Sequence, residues 1–284
     1  MPSPLSNALY VVSTPIGNLD DFSIRAIEVL RGVDAIACED KRHSARLMQH
    51  HGIDTRLLSY HEHSSERDTE AIMARLEQGE SVALVSDAGT PLLADPGYKL
   101  VNRALEMAIE VIAIPGASAS LAALTVSGLA TDRFTFEGFL PAKSEARDKR
   151  LSLLDKEPRT MVFYESPHRI QETLEAMRRI LGEDRKIALA RELTKRFETK
   201  LRGTLAAVSR KVAEDPDQRR GEFVLVLSGF QDSTEPGEVP EEAGRVLSIL
   251  VQELPLKQAS ALAAKITGVK KNALYRWGLA LSDT

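Results

Sequence analysis

The sequence predicts an α/β protein of two domains, with a mostly parallel sheet in the first, a mixed sheet in the second and a small helical domain at the C-terminus. Apolar runs of strand length alternate with helical patterns in the first half. The 284 residues exceed what one hydrophobic core usually serves. The 43% hydrophobic and 27% charged residues have the balance of a globular protein. The predicted domains are residues 1–138, 139–230 and 231–284.

Strand and helix alternate through the first predicted domain. Apolar runs predict strands at residues 9–13, 35–38, 82–85 and 111–114. A helix with apolar residues at helical spacing is predicted over residues 65–78. Asp95 and Pro96 are predicted to be the N-cap and first residue of a further helix. Such alternation predicts a parallel sheet covered by helices.

The second predicted domain follows a polar stretch, residues 141–150, in which six of ten residues are charged. Apolar runs predict strands at residues 160–164, 186–190, 198–202 and 222–227. Charged residues alternate with others over residues 198–204, which predicts an edge strand. Ser166 and Pro167 are predicted to start a helix that ends before Gly182.

The C-terminal segment begins with an acidic linker rich in proline and glycine, residues 231–240, and continues with three short helical patterns. The last two flank residues 267–269, in the arrangement of a helix-turn-helix. The net charge of the whole chain is −4, whereas residues 255–284 carry a net charge of +4. By charge alone, this basic segment could contact RNA or form a solvated helix face.

Several classes of protein are disfavoured by composition. Cys38 is the single cysteine, so a disulfide framework is excluded, and its apolar neighbours predict a buried strand residue. Residues 111–131 carry no charge and could span a bilayer, but Pro115 and Gly116 predict a strand, a turn and a helix instead. Residues 1–10 lack the pattern of a signal peptide, which predicts a cytoplasmic protein with no membrane partner.

Three turns without bulky side chains follow predicted strands, at residues 14–18, 86–91 and 115–120. In an open parallel sheet, ligands bind beyond the carboxyl ends of the strands. Small residues there expose backbone groups to a ligand. The chain has no G-x-x-x-x-G-K-[ST] loop, no G-x-G-x-x-G after the first strand and no G-x-S-x-G elbow, which disfavours nucleotide hydrolysis, ordinary dinucleotide binding and esterase chemistry.

These turns and other segments resemble the ribosomal RNA cytidine 2′-O-methyltransferases of the tetrapyrrole methylase superfamily. The resemblance covers nearly the whole chain. The segments that carry it are TPIGNL at 14–19, EDKRH at 39–43, SDAGTP at 86–91, GFLPAK at 138–143, YESPHR at 164–169, ARELTK at 190–195 and KKNALY at 270–275. The family often has threonine where Lys41 stands and proline where Ala117 stands.

The resemblance implies the tetrapyrrole methylase fold, with S-adenosylmethionine bound in a cleft between two α/β domains. The substrate would be a cytidine in the decoding region of 16S ribosomal RNA or of the small ribosomal subunit, and the enzyme a homodimer. The cofactor contacts would fall on Pro15, Gly17, Asp87, Ala88, Gly89, Ser118, Ala119, Glu165 and Leu193.

Charged residues at two strand ends are the candidate catalytic groups, because methyl transfer to a ribose hydroxyl needs a proton acceptor and cations that hold phosphates. They are Glu39, Asp40, Arg42 and His43 in the first domain and Arg191, Glu192 and Lys195 in the second. The candidate substrate contacts are His168, Arg169, Lys270 and Lys271.

The candidate residues and the fold also allow other interpretations. Glu39 and Asp40 could be only a helix cap, His43 and His168 could be structural, and Arg191 could pair with Glu192. His61 and His63 lack a third ligand, so no metal site is predicted. The same fold could also methylate a tetrapyrrole or another small molecule, or serve as a non-catalytic ribosome-binding factor.

Overall fold

Two five-stranded sheets make up the chain before residue 231. The computed structural model describes residues 5–231 and 239–282. The contacts divide it into two compact units that part after Phe230. The predicted acidic linker, residues 231–240, lies largely outside the described residues. Within the parts of the chain that are described, no helix is long and apolar enough to cross a membrane.

The first sheet is entirely parallel, as predicted. Its strands are β1 (Ala8–Val12), β2 (Ala35–Cys38), β3 (Leu57–Ser59), β4 (Val82–Val85) and β5 (Glu110–Ile114), in the order β3-β2-β4-β1-β5. Cys38 is buried in β2, as predicted. Because the strands are parallel, the turns that follow them meet at one edge of the sheet.

Helices cover this sheet. They are α1 (Ile24–Gly32), α2 (Lys41–His50), α3 (Glu66–Glu77) and α4 (Tyr98–Glu106). Helix α5 (Ala119–Ser127) follows β5. Ser65 and Asp68 form a capping box at the start of α3, which confirms the predicted helix there. The start predicted for α4 at Asp95 and Pro96 is wrong, because the helix begins at Tyr98 after Gly97, whose φ is +134°.

The second sheet is mixed, as predicted. Its strands are β6 (Phe134–Phe139), β7 (Thr160–Glu165), β8 (Lys186–Arg191), β9 (Thr199–Thr204) and β10 (Phe223–Leu227), in the order β6-β7-β10-β8-β9. Only β6 and β7 pair in parallel among the pairs of this sheet. The predicted edge strand is confirmed as β9. Helices α6 (Ser144–Leu154), α7 (Ile170–Leu181) and α8 (Leu205–Glu214) complete the layer.

Several boundaries in this region differ from those that the sequence predicts. The division between residues 138 and 139 falls inside β6, which belongs to the second sheet, so the change of sheet lies between α5 and β6. The polar stretch at residues 141–150 is mostly helical, as α6. The helix predicted from Ser166 begins at Ile170, because residues 167–169 form a turn whose amides at 169 and 170 bind the Ser166 carbonyl.

Helix α5 joins the two sheets. It follows the last strand of the first sheet but packs against β7, β8 and β10 of the second. Ala123 and Leu124 of α5 share a buried cluster with Val162, Ala188 and Val224. The strand-end turns of the first sheet are thereby fixed beside the second sheet.

The C-terminal unit has a hydrophobic core of its own. Its helices are α9 (Glu241–Leu250), α10 (Leu256–Thr267) and α11 (Lys271–Ser282). Leu247, Ala263 and Leu274 are fully buried between them. Helix α10 ends at Gly268, whose left-handed φ of +74° makes the turn into α11. The predicted helix-turn-helix shape is therefore present.

Candidate active site

The strand-end turns of the first sheet are tied together by hydrogen bonds. Thr14 and Gly89 exchange both backbone bonds, at 2.8 and 3.1 Å. Thr90 Oγ1 donates to the Ala117 carbonyl (3.1 Å) and lies 3.0 Å from Ser13 Oγ, which must then donate to it. The turns after β1, β4 and β5 therefore form one fixed surface. Because both backbone groups of Gly89 are already paired, they are not free to bind a ligand.

A cavity of about 270 Å³ opens beside this surface. Residues 87–90 and 93–95, with Ile16 and Ala119, form its wall on the side of the first sheet. The second sheet contributes Phe139, Tyr164, Glu165, Ala190, Leu193 and residues 222–224. Its volume is close to the lower end of small-molecule sites, ~300–1,000 Å³. Of the predicted cofactor contacts, Asp87, Ala88, Gly89, Ala119, Glu165 and Leu193 line it.

The cavity is acidic. Asp87, Asp95, Glu165 and Glu222 lie in its wall, and no lysine or arginine of the described residues lines it. Carboxylates around an apolar floor suit a ligand that carries positive charge. The small side chains of Ala88 and Ala119 leave room for its body. The lining thus fits a sulfonium methyl donor, and it does not suit a polyphosphate.

Asp95, which the sequence predicts as a helix N-cap, lies in the cavity wall. It lies in the loop before α4, where Leu92 and Ala94 have left-handed φ of +72° and +65°. Burial raises the pKa of the Asp95 carboxyl to about 6; a hydrogen bond from Ser86 partly opposes this, and the charge of Asp87 adds to it. Such backbone strain and such a pKa are typical of functional sites.

Glu165 is buried and held by several partners. Its carboxylate accepts from the Ser166 amide (2.7 Å) and from Thr173 Oγ1 (2.6 Å), and it lies 3.5 Å from the Arg169 guanidinium. Arg169 also donates to the backbone carbonyls of Leu140 (2.6 Å) and Pro141. Arg169, predicted as a substrate contact, therefore ties the turn after β7 to the turn after β6.

Lys195 lies in an ion-pair cluster beside the cavity. Its Nζ is 2.9 Å from Glu192 Oε1 and 2.7 Å from Glu222 Oε2. Its side chain packs on Gly17, where an added Cβ would lie 2.9 Å from Lys195 Cε. Lys195, predicted to hold a phosphate, is therefore paired in this structure and links the turn after β1 to the second sheet. We refer to Lys195, Glu192, Glu222 and Gly17 as the lysine clasp.

Of the candidate catalytic residues after β2, Asp40 caps a helix and Glu39 lies close to other carboxylates. Asp40 caps α2, and hydrogen bonds from the amides of Arg42 and His43 lower the pKa of its carboxyl. Burial raises the pKa of the Glu39 carboxyl, and Asp87 and Asp95 raise it further. The Asp40 amide donates to Asp87 Oδ1 (3.1 Å), which connects this turn to the cavity wall.

The remaining predicted residues lie outside the cavity wall. Pro15 is buried within the turn after β1. Ser118 Oγ is 2.9 Å from Ser120 Oγ. Arg191 is buried at the end of β8, and its Nε has no partner among the described residues. The predicted alternative of an Arg191–Glu192 ion pair is not present there, because Glu192 pairs with Lys195. His168 is exposed.

Sequence reasoning missed the aromatic part of the wall. Phe139 and Tyr164 line the cavity with ring centroids 5.7 Å apart, and 52% of Phe139 is exposed. Their position in the GFLPAK and YESPHR segments was the available signal. Over residues 5–231 and 239–282, no group of three histidine, cysteine or acidic side chains could hold a metal ion, which includes the region of His61 and His63.

Comparison with known proteins identifies the family. The model described as Tetrapyrrole (Corrin/Porphyrin) Methylases matches residues 8–209. The chain belongs to the tetrapyrrole methylase family. It is therefore a methyltransferase, and its two sheets are those of the family's fold. A second family model, the RsmI C-terminal HTH domain, matches residues 237–282 of this tetrapyrrole methylase.

Curated relatives match this tetrapyrrole methylase over nearly its full length. Ribosomal RNA small subunit methyltransferase I of Pseudomonas aeruginosa is 52% identical over 96% of this chain and 97% of its own. The protein of the same name from Escherichia coli O157:H7 is 50% identical, over 95% and 94%. That from Haemophilus influenzae is 48% identical, over 97% and 98%.

Solved structures share the fold at low sequence identity. The cobalamin biosynthetic enzyme cobalt precorrin-4 methyltransferase has a TM-score of 0.59 at 15% identity, over 80% of this chain and 97% of its own. A diphthine synthase from Entamoeba histolytica has a TM-score of 0.58 at 15% identity, over 81% and 95%. These similarities concern the fold alone.

Proposed function

We propose that this tetrapyrrole methylase transfers a methyl group from S-adenosylmethionine to the 2′-hydroxyl of a cytidine in 16S ribosomal RNA. The observation that carries the proposal is the match over 94–98% of the length of relatives named ribosomal RNA small subunit methyltransferase I. The match includes the C-terminal helix-turn-helix unit. The substrate would be the RNA itself or the small ribosomal subunit, in the cytoplasm.

The acidic cavity supports the choice of cofactor. When bound, S-adenosylmethionine supplies a methyl group already activated on a positively charged sulfur. Asp87 and Asp95 would offset that charge, and Ala88, Ala119 and Leu193 would leave room for the rest of the molecule. Since the donor is activated, the protein's main tasks are to align the hydroxyl with the methyl group and to remove one proton.

Exposed groups around the cavity suit a single-stranded nucleotide. Phe139 presents a half-exposed ring at the cavity wall, and a base can stack on such a ring. Arg42 and His43 are exposed on the first turn of α2, and Arg196 lies over the exposed ring of Phe197 at 5.6 Å. Cations at these positions can bind phosphates without reading sequence.

The C-terminal unit is proposed to dock RNA. The basic side chains of residues 255–282, including the predicted contacts Lys270 and Lys271, are exposed, and none of them makes an ion pair with a described residue. These side chains are Lys257, Lys265, Lys270, Lys271 and Arg276. Each phosphate contact releases counterions, so RNA affinity should fall as salt rises. Reversing the charges of Lys270 and Lys271 should flatten that salt slope and leave cofactor affinity unchanged.

The function is tested by methyl transfer to three acceptors. The purified chain and tritiated S-adenosylmethionine are incubated with unmodified small subunits, with protein-free 16S RNA and with a porphyrinogen. We expect label in RNA, recovered as 2′-O-methylcytidine after nuclease digestion and mass spectrometry. Label in the porphyrinogen alone would replace the RNA with a tetrapyrrole substrate. Cofactor binding without transfer to any acceptor would favour a non-catalytic ribosome-binding factor.

The role of the C-terminal unit is tested by ending the chain after Gln231. Because the first unit has its own cores, we expect its melting temperature and cofactor affinity to stay close to those of the full chain. The Michaelis constant for RNA should rise. An unchanged constant would contradict docking by this unit. We also propose a homodimer, as the resemblance implies, and light scattering that gives the mass of one chain would contradict it.

A further inference from the structure

The loop between β4 and α4 holds Asp95 against the cavity. Leu92 and Ala94 adopt left-handed backbone conformations, and Gly97 has a φ of +134°. An L-residue enters this region only at a cost of about 1–2 kcal/mol. The result is that α4 starts three residues after Asp95, and no described side chain caps it. The Asp95 carboxylate, which the sequence predicts as a helix cap, is left to face the cavity instead.

The other carboxylates of the cavity wall have partners. Glu165 accepts from the Ser166 amide and Thr173 Oγ1 and lies beside Arg169. Glu222 is 2.7 Å from Lys195 Nζ. Asp87 accepts from the Asp40 amide. Asp95 has no ion pair with any residue in the described ranges, and the neighbouring Ser86 side chain is the group that opposes the rise of its pKa.

The groups that face Asp95 explain its affinity for a proton. From the end of β4, Ser86 donates a hydrogen bond and Asp87 contributes a like charge; from the end of β2, Glu39 is close enough that Asp95 raises its pKa. The second sheet adds Glu165 and Glu222 to the same cavity wall. Arg169 and Lys195 pair with these two carboxylates, but no cation of the described residues pairs with Asp95. Half-burial raises the pKa of Asp95 to about 6.

We propose that Asp95 is the catalytic base that removes the proton from the ribose 2′-hydroxyl during methyl transfer. The inference rests on the proposed function. The hydroxyl oxygen forms the new bond to the methyl carbon while the carbon–sulfur bond breaks, and its electron pair stays on sulfur. The hydroxyl proton moves to the Asp95 carboxylate. One positive sulfonium and one carboxylate become a neutral thioether and a carboxylic acid, so charge and atoms balance.

The positive cofactor and the raised pKa act together in this role. A cation in the cavity favours ionised Asp95, so the carboxylate is ready as a base at neutral pH. After transfer the sulfur is uncharged, and the acidic surroundings again favour the protonated acid. A base whose pKa lies near the operating pH transfers protons most efficiently. The proton then leaves to solvent when the product does.

The first test measures protons released on cofactor binding and does not depend on activity. Calorimetry at pH 6 in two buffers of different ionisation enthalpy gives the number released. We expect up to about half a proton for the wild type, because Asp95 is half protonated there and the cation lowers its pKa. Asp95→Asn should release less, as should the wild type with S-adenosylhomocysteine. Equal release by the wild type and the variant would overturn the proposal.

The second test separates a base from a cofactor contact. Removal of a general base lowers turnover by about 10²–10⁴-fold. We expect Asp95→Asn to lose kcat on this scale. Loss of the charge also weakens cofactor binding at neutral pH, by about tenfold for each unit by which the cofactor lowers the Asp95 pKa, whereas the dissociation constant for RNA should stay within a few-fold of the wild type. The acid limb of the wild-type kcat/KM profile should be absent from the residual activity of the variant. A large loss of cofactor affinity with little change in kcat would overturn the proposal.

Two further variants complete the design. Asp184→Asn changes an exposed carboxylate before β8, at the strand end opposite the cavity, and should leave the profile unchanged. Glu39→Gln tests the neighbouring acid; if it removes the acid limb and Asp95→Asn does not, Glu39 is the base and the proposal is wrong. A wild-type enzyme that methylates no ribosomal substrate would instead refute the proposed function, while the proton-release measurement would still report on Asp95.

Discussion

The lysine clasp predicts that replacing Gly17 even by alanine destabilises the chain. Gly17 has a φ of +150°, and an added Cβ would lie 2.9 Å from Lys195 Cε and nearer still to its Cγ. The Lys195 side chain would have to leave Gly17, and it would then lose its positions 2.9 Å from Glu192 and 2.7 Å from Glu222. The substitution therefore acts on the backbone, on the packing and on two ion pairs.

The magnitude follows from these three contributions. Backbone strain for a residue with a side chain in this region is about 1–3 kcal/mol. The packing clash adds about 1–3 kcal/mol, and the two partly exposed ion pairs add about 0.2–1 kcal/mol each. Gly182→Ala is the control for backbone strain. Gly182 has a φ of +91° and nothing within 4 Å of an added Cβ, so its substitution adds backbone strain without a packing clash.

We expect Gly17→Ala to melt below Gly182→Ala by roughly 3–20 °C, because the clash and the two ion pairs together amount to about 1.4–5 kcal/mol, and 1 kcal/mol shifts the melting temperature of a unit of this size by about 2–4 °C. Scanning calorimetry of both variants measures the difference. Lys195→Ala removes the clashing side chain, so the double variant should be more stable than the sum of the single effects. Equal melting of Gly17→Ala and Gly182→Ala, or additive effects in the double variant, would refute the clasp.

Two other substitutions test the cavity and the C-terminal unit. Ala119→Leu adds volume at the cavity wall and should lower cofactor affinity, as measured by calorimetry, whereas Thr125→Leu at an exposed site of the same helix should not. Gly244→Ala should lower the stability of the C-terminal unit in hydrogen exchange, because its Cβ would lie 2.9 Å from the Trp277 ring, and Ser248→Ala is the control on the same helix.

Strands were predictable from sequence where they are buried and regular. β2 and β4 are apolar throughout and fully buried, so both were found within a residue. β3 was missed because it has three residues, and none of them is fully buried. β6 was missed because the register shifts between Phe136 and Gly138, whose φ is +63°, and the shift interrupts the alternation of side chains.

The candidate site was predictable only as far as local sequence determines it. Parallel strands bring their following turns to one edge, so the residue 14–18 and 86–91 turns could be placed together. The pairing of Lys195 with Glu222 joins residues 27 positions apart through sheet pairing that no local pattern encodes. Asp95 was assigned to a cap because Asp-Pro is a common helix start. The strained loop that overrides this preference is apparent only from the backbone.

Asp95 should also lower the stability of the enzyme at neutral pH. Its carboxyl has a pKa of about 6 in the folded chain against an ordinary 3.8, so the folded state binds the proton more tightly than the unfolded state does. Stability is therefore greatest below pH 4 as far as this group is concerned, and it falls as the pH rises from about 4 to 6. Above that range the ionised carboxylate is a constant penalty. A shift of two units corresponds to a ceiling of about 3 kcal/mol, which partial exposure reduces to about 1 kcal/mol.

Asp95→Asn keeps the size and a hydrogen-bonding group for Ser86 but cannot ionise. We therefore expect the variant to melt about 2–4 °C above the wild type at pH 8 and at nearly the same temperature at pH 4. Saturating S-adenosylmethionine should stabilise the wild type more than the variant, because its positive charge offsets the carboxylate. A variant that is less stable than the wild type at pH 8 would mean that Asp95 supports the fold. The opposite result would mean that the chain retains a destabilising carboxylate at its cavity, as is expected of a group kept for chemistry.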